Sequence, residues 1–241
     1  MKKNTVIEVV KTIKTPITER IDSLFQKEIE EMCADIEYSF EKLSEVIDAK
    51  DSTNTDFYSA VMLWTFQNTL ISAISLIRQG YLIEPMMLLR NSVEGFSVAY
   101  SIQKDENLLK KFQENPKKFP STNQVTFISK DFPLIGKLYG LLSNFTHASE
   151  FHSVPSIAKQ PLKIGPGIST EENKYFKIEI IMLKQIIYIL SSIIEYSYAK
   201  NSIPKRFWTI DEDGGSLTLK KFNLDEFDET LREIHLDFEK V

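Results

Sequence analysis

The sequence predicts an all-α fold: an antiparallel helical bundle of five to six principal helices, with a long connecting loop and a small C-terminal appendage. Three observations predict it. Glycine (8) and proline (9) each make up under 4% of the 241 residues, too few for the many turns of an all-β protein. Neither residue occurs between Pro16 and Gly80, nor between Glu171 and Lys200. Within these stretches apolar residues recur at steps of three and four, the period of an α-helix.

The first long helix is expected over 17–49, after the start signal Thr15-Pro16. Ile21, Leu24, Phe25, Met32, Ile36, Phe40, Leu43 and Ile47 form its apolar stripe. Glu28, Glu30, Glu31, Asp35, Glu37 and Glu41 form a solvated face. Residues 50–55 (KDSTNT) are rich in capping and turn types and break the chain. A second helix follows over 56–79 and stops at Gly80, suited to a helix C-terminus. A third covers 82–103, with Pro85 in its first turn. Residues 51–100 carry only six charged side chains, 12% against 26% for the whole chain. Low charge predicts that this pair is a buried central hairpin.

Residues 104–132 read as irregular, with a short helix at 105–113 and loop signals at Asn115-Pro116, Phe119-Pro120 and 121–123. Helices are expected over 132–149 and 171–200, separated by a Pro- and Gly-rich connection at 154–169. The bundle domain therefore spans 1–200. In the appendage, 201–241, the run 211–215 (DEDGG) predicts a turn or hairpin with Ser216 to Leu219, and 224–238 an amphipathic helix.

Composition narrows the function. Hydrophobic residues at 42% and a net charge of -5 describe a globular chain without an overall basic signature, so no DNA partner is expected. A single cysteine, Cys33, excludes a disulfide framework and a multi-Cys zinc site. The N-terminal apolar run, Val6-Ile7 and Val9-Val10, is too short for a signal-peptide core. The most apolar stretch, 180–194, contains Lys184 and Gln185 and reads as a core helix, so no membrane contact is expected. The expected location is the cytoplasm.

Chemistry must come from a few polar residues. Arg90 and Glu94 are four apart on the third helix and are the only charges between Pro85 and Gln103. They are either a structural ion pair that sets helix register or a pair lining a cleft. In the helix at 132–149, Gly136, Gly140, Ser143 and His147 follow the 4-3-4 step, a row of small residues ending in an imidazole. Tyr139, Ser143 and His147 form an i, i+4, i+8 line. His147 and Ser143 are thus expected to share an interhelical seam and to meet Arg90 and Glu94 there.

The stretch RQGYLIEPMMLLRNSVE (78–94), followed some fifty residues later by LYGLLSNFTH (138–147), resembles an uncharacterised bacterial family of all-helical proteins. That family is distantly similar to the HEPN group of helical bundles, which includes RNases and partners in toxin–antitoxin and phage-defence systems. The resemblance covers roughly 55–200 and implies a polar pocket holding Arg90, Glu94, Ser143 and His147. One departure counts against nuclease chemistry. HEPN RNases carry Arg and His four to six residues apart on one helix. No arginine stands so before His147 or His152, and Arg232 lies three before His235.

Other patterns are weaker. His147, Glu150 and His152 lack the Glu-x-x-His pairs a di-iron bundle needs, so no metal or cofactor is expected. Residues 101–170 hold nine lysines against five acids, and Lys110-Lys111 and Lys117-Lys118 alternate with Phe112 and Phe119, which admits RNA as a partner. The leading expectation is an interaction or regulatory module of a stress or phage-defence system, acting through a protein partner or self-association. The alternatives are a HEPN-like RNase or toxin effector using Arg90 and His147, and a small-ligand-binding bundle.

Overall fold

The computed structural model describes residues 5–12, 14–81, 83–146, 170–199, 206–210 and 217–220. The helices are α1 (Val6–Val10), α2 (Pro16–Ile47), α3 (Asn54–Arg78), α4 (Ile83–Lys104), α5 (Glu106–Glu114), α6 (Ser121–Ile128), α7 (Pro133–Thr146) and α8 (Thr170–Ser197). A 3-10 turn, Pro116–Lys118, joins α5 to α6, and two short strands, β1 (Trp208–Ile210) and β2 (Leu217–Leu219), complete the order. The expected all-α class is what the chain adopts.

Local chemistry explains the boundaries. Thr15 caps α2 through a reciprocal box with Thr18, and Pro16 occupies the first turn, where its missing N–H costs nothing. The Thr53 side chain caps α3 by accepting from the Asp56 N–H. Gly80, at φ 90°, ends α3. Its N–H donates to the Ile77 carbonyl at 3.0 Å and the Tyr81 N–H to the Leu76 carbonyl at 3.1 Å, a pair that satisfies two end carbonyls.

Antiparallel α3 and α4 form the most extensive pairing, and α4 also touches α5, α6, α7 and α8. The Ser59 hydroxyl donates to the Ala99 carbonyl across the α3–α4 seam. Gly95 lets the ring of Phe66 approach the α4 backbone: a Cβ there would lie 1.9 Å from Phe66 Cζ. Helices α2 and α8 run the same way, as the Lys184–Glu31 and Tyr38–Glu195 contacts show at successive levels, and Gln103 of α4 donates to the Ser197 carbonyl at the end of α8. The main core joins Ile36, Leu43, Leu70, Ile74, Leu89, Val93, Ile187 and Leu190.

Three expectations need correction. The stretch after α5 is helical over Ser121–Ile128, because Ser, Thr and Asn are start residues for a helix as well as loop residues. Low charge does not bury α3 on all sides: Phe57, Tyr58 and Val61 are exposed, as are Thr65, Asn68 and Ser72. The row of small residues in α7 is not a close helix seam at Gly140, which is exposed with open space around its Cβ position. The buried face of α7 is Ile135, Leu138 and Leu142.

The hairpin expected in the appendage is present as β1 paired antiparallel with β2, Thr209 opposite Thr218. It is fixed to the bundle by polar groups. Glu195, 3% exposed, accepts from the Tyr38 hydroxyl at 2.6 Å, the Arg206 N–H at 2.9 Å and the Phe207 N–H at 2.9 Å. The Trp208 indole donates to the Ser192 carbonyl, and Arg206 pairs with Asp35. The amphipathic helix expected at 224–238 lies outside the described residues, as does the 154–169 connection.

Candidate functional site

Helical spacing places Arg90 and Glu94 one turn apart on α4, and they pair, Nε to Oε1 at 3.2 Å. Helix α7 crosses this point. The Tyr139 hydroxyl donates to Glu94 Oε1 at 3.0 Å and accepts from Arg90 Nη2 at 3.3 Å. The guanidinium also lies over the Tyr139 ring, 5.4 Å from its centre. Helix α6 supplies the last member: Ser121 Oγ donates to Glu94 Oε2 at 3.1 Å. Both carboxylate oxygens of Glu94 are therefore engaged. The Arg90 and Glu94 side chains are 21% and 25% exposed, at the edge of the core rather than in an open cleft. The hydrogen bond with Tyr139, and after it the charge of Glu94, raise the Arg90 pKa further, so the guanidinium is a permanent cation.

Ser143 follows Tyr139 by one turn on α7, half-buried, with its hydroxyl oxygen enclosed. His147 lies outside the described residues, as do Glu150 and His152. Helices α4 and α7 thus meet at Arg90 and Glu94, with Tyr139 forming the direct bond; the expected meeting of this pair with His147 lies outside the described residues. The sequence carried Tyr139 only as part of the α7 line. Ser121 had no signal, because nothing local links it to a carboxylate 27 residues earlier. Among the described residues no group of three or more His, Cys, Asp or Glu is placed to hold a metal ion.

The aromatic residues of the basic-aromatic run pack on one another. Phe112 and Phe119 meet edge to face, 5.6 Å apart, and pack on the satellite core of Val98, Ile102 and Leu109. Their rings serve the fold, while Lys110, Lys111 and Lys117 are exposed. Cys33 is buried, and its thiol is pushed up to about 12 by burial and by Glu37, which leaves no thiolate for nucleophilic chemistry near neutrality.

Two acids with enclosed carboxyl oxygens escaped the sequence reading. Glu195 is the clamp described above. Glu179, on α8, has its Oε2 fully enclosed, with no hydrogen-bond partner among the described residues. Burial, and then the charge of Glu84, hold its carboxyl well above the ordinary value of 4.5. The native state thus keeps a proton that the unfolded chain releases. The resulting stability is fully present below about pH 4.5 and is lost as pH rises through the native pKa. Glu179→Gln, which mimics the protonated acid, is expected to match the parent near pH 4 and to be the more stable chain at pH 8. Thermal melts across that range check it. A gap that does not change with pH would show that Glu179 does not titrate anomalously.

Comparison of the chain with protein-family models, with curated proteins and with solved structures finds no match. Function must be argued from the arrangement of the residues.

Proposed function

We propose that this chain is an interaction module, a helical bundle that acts by presenting a surface rather than by turning over a substrate. By the resemblance noted above, it belongs to a stress or phage-defence type of system. One observation carries the reading. The charged pair on α4 is mutually satisfied by Tyr139 and Ser121, with both Glu94 oxygens occupied, while the outer face of α3 is exposed and uncharged. Among the described residues Glu94 accepts from Arg90, Tyr139 and Ser121, and a carboxylate held by three helices in this way supports packing.

The RNase reading makes an opposite prediction and is tested directly. Purified protein incubated with single-stranded and structured RNA is expected to leave it intact. Cleavage lost on both Arg90→Ala and His147→Ala would sink the interaction reading and restore the nuclease.

A stability comparison separates the roles of the same residues. Glu94→Ala removes the acceptor shared by Arg90, Tyr139 and Ser121. Full burial would make the loss about 3–5 kcal/mol, and partial exposure reduces it to about 1–3 kcal/mol. Glu94→Ala is expected to lower stability more than His147→Ala, read from parallel thermal melts. Equal or reversed losses would show that the pair is free to contact a ligand.

A further inference from the structure

We infer that α1 is a strap, a latched helix that opens and closes over the groove between α2 and α3 as a unit separate from the bundle. The device goes beyond the interaction reading and stands whether or not the chain turns over a substrate. Local chemistry starts this helix. Thr5 and Glu8 form a capping box: the Thr5 N–H donates to Glu8 Oε2 at 2.9 Å, and the Glu8 N–H to Thr5 Oγ1 at 3.4 Å. Val6 and Val10, four apart, bury their side chains in the core, and Ile7 packs at its edge. Five residues are far fewer than the roughly 12–15 that an isolated helix needs, so α1 is helical only while it is seated.

The seat is built by α2 and α3. Glu30, Cys33 and Glu37 follow the i, i+3, i+7 spacing of one α2 stripe. At one end Glu37 Oε1 accepts from the Val6 N–H at 2.7 Å, and at the other Lys11 Nζ lies 3.8 Å from Glu30 Oε1. Helix α1 therefore runs antiparallel to α2, and Cys33 lies beneath it, between two anchors about 10 Å apart along α2. Cys33 is 2% exposed. After burial, the groups that act on its thiol are Glu37, Lys11, Arg78 and Glu30, the same groups that fasten the strap. From α3, Arg78 Nη1 donates to the Val10 carbonyl. A carboxylate at the N-terminal end of α1 and a guanidinium at its C-terminal end match the polarity of a helix.

These fastenings can be released without stranding a charge. Arg78 keeps both Asp22 oxygens through Nε and Nη2 when α1 leaves. Glu30 is exposed, and Glu37 and Lys11 are partly so, so each passes to water. The loss is chiefly the burial of Val6 and Val10, and the conformational entropy regained by the segment offsets it. An opening that exposes so little surface lies well below global unfolding in free energy. It also uncovers Cys33, so the single cysteine of the chain reports on the strap.

The rate at which dithiobisnitrobenzoate labels Cys33 in the full chain, followed across a urea series, tests the inference. At low urea the rate is expected to depend only weakly on denaturant, and to join the steep dependence of global unfolding near the midpoint. Val10→Ala should speed labelling without urea about tenfold, the ratio for roughly two buried methylenes. Glu37→Gln, at a partly exposed position, should speed it by a smaller factor with unchanged helical circular dichroism. Leu142→Ala is the control, a core truncation in α7, which packs on α4 and α6. It should lower the urea midpoint and leave the rate without urea unchanged. Labelling that tracks global unfolding at every urea concentration would overturn the strap. So would equal acceleration by Val10→Ala and Leu142→Ala, or no acceleration by either strap variant. RNA cleavage by a chain whose strap behaves as expected would overturn the non-catalytic reading alone and leave the strap standing.

Discussion

Asp22→Ala is expected to destabilise the fold by about 3–5 kcal/mol, more than any other single truncation considered. The reason is Arg78, a cation only 1% exposed at the end of α3. Its Nε and Nη2 reach Asp22 Oδ1 and Oδ2 at 2.6 and 2.7 Å, and Nη1 donates to the Val10 carbonyl. This fork ties α1, α2 and α3 together at one end of the bundle. Removing the carboxylate leaves a desolvated guanidinium with one carbonyl partner. The double variant Asp22→Ala, Arg78→Met removes the buried charge as well and should recover much of the loss. Urea unfolding of the single and double variants measures it. A double variant no better than Asp22→Ala would mean that packing, not the stranded charge, sets the cost.

The second large effect is expected at Glu195. Glu195→Ala strands three donors at once: the Tyr38 hydroxyl and the N–H groups of Arg206 and Phe207. Hydrogen bonds to a charged acceptor contribute about 1.5–3 kcal/mol each, and the losses are not additive, so about 3 kcal/mol is expected. The damage should be local first. Phe207 packs edge to face on Tyr38 and Tyr188, and Trp208 lies tilted against Tyr196 and Phe132, so the ribbon of β1 and β2 is held by the same patch. Amide exchange at Arg206 and Phe207 should accelerate while α3 and α4 stay protected. Tyr38→Phe removes one donor and is the milder control. If Glu195→Ala costs no more than that control, the two backbone amides do not depend on the carboxylate.

Helix positions were largely legible because their causes are local. Thr15-Pro16 starts α2 and Gly80 ends α3 where the residue types require. The Arg90–Glu94 pair was legible for the same reason, since i, i+4 spacing within one helix makes contact nearly automatic. The helix over Ser121–Ile128 was missed because its capping residues are also loop residues, and eight residues give too little periodicity to decide. Phe112 and Phe119 alternate with lysines in the sequence, and the packing of their partly buried rings on Val98, Ile102 and Leu109 had no local signal.

By itself the sequence determined the all-α class, the long helices, most of their ends, the hairpin at β1 and β2, and one ion pair. Each follows from interactions within a turn or two of the chain, so composition and spacing suffice. Tertiary structure decided which polar groups meet across distance. Asp22 finds Arg78 over 56 residues, Glu195 finds Tyr38 over 157, and Glu94 acquires Tyr139 and Ser121. Such pairings depend on helix order, direction and rotation, which set whether a side chain faces a neighbour or water. The same physics separates the two apolar helices: α8 is enclosed by α2, α3 and α4, while α3 keeps one uncharged face outside. Hydropathy reports the cost of exposing a face, and only the packing shows which face is left exposed.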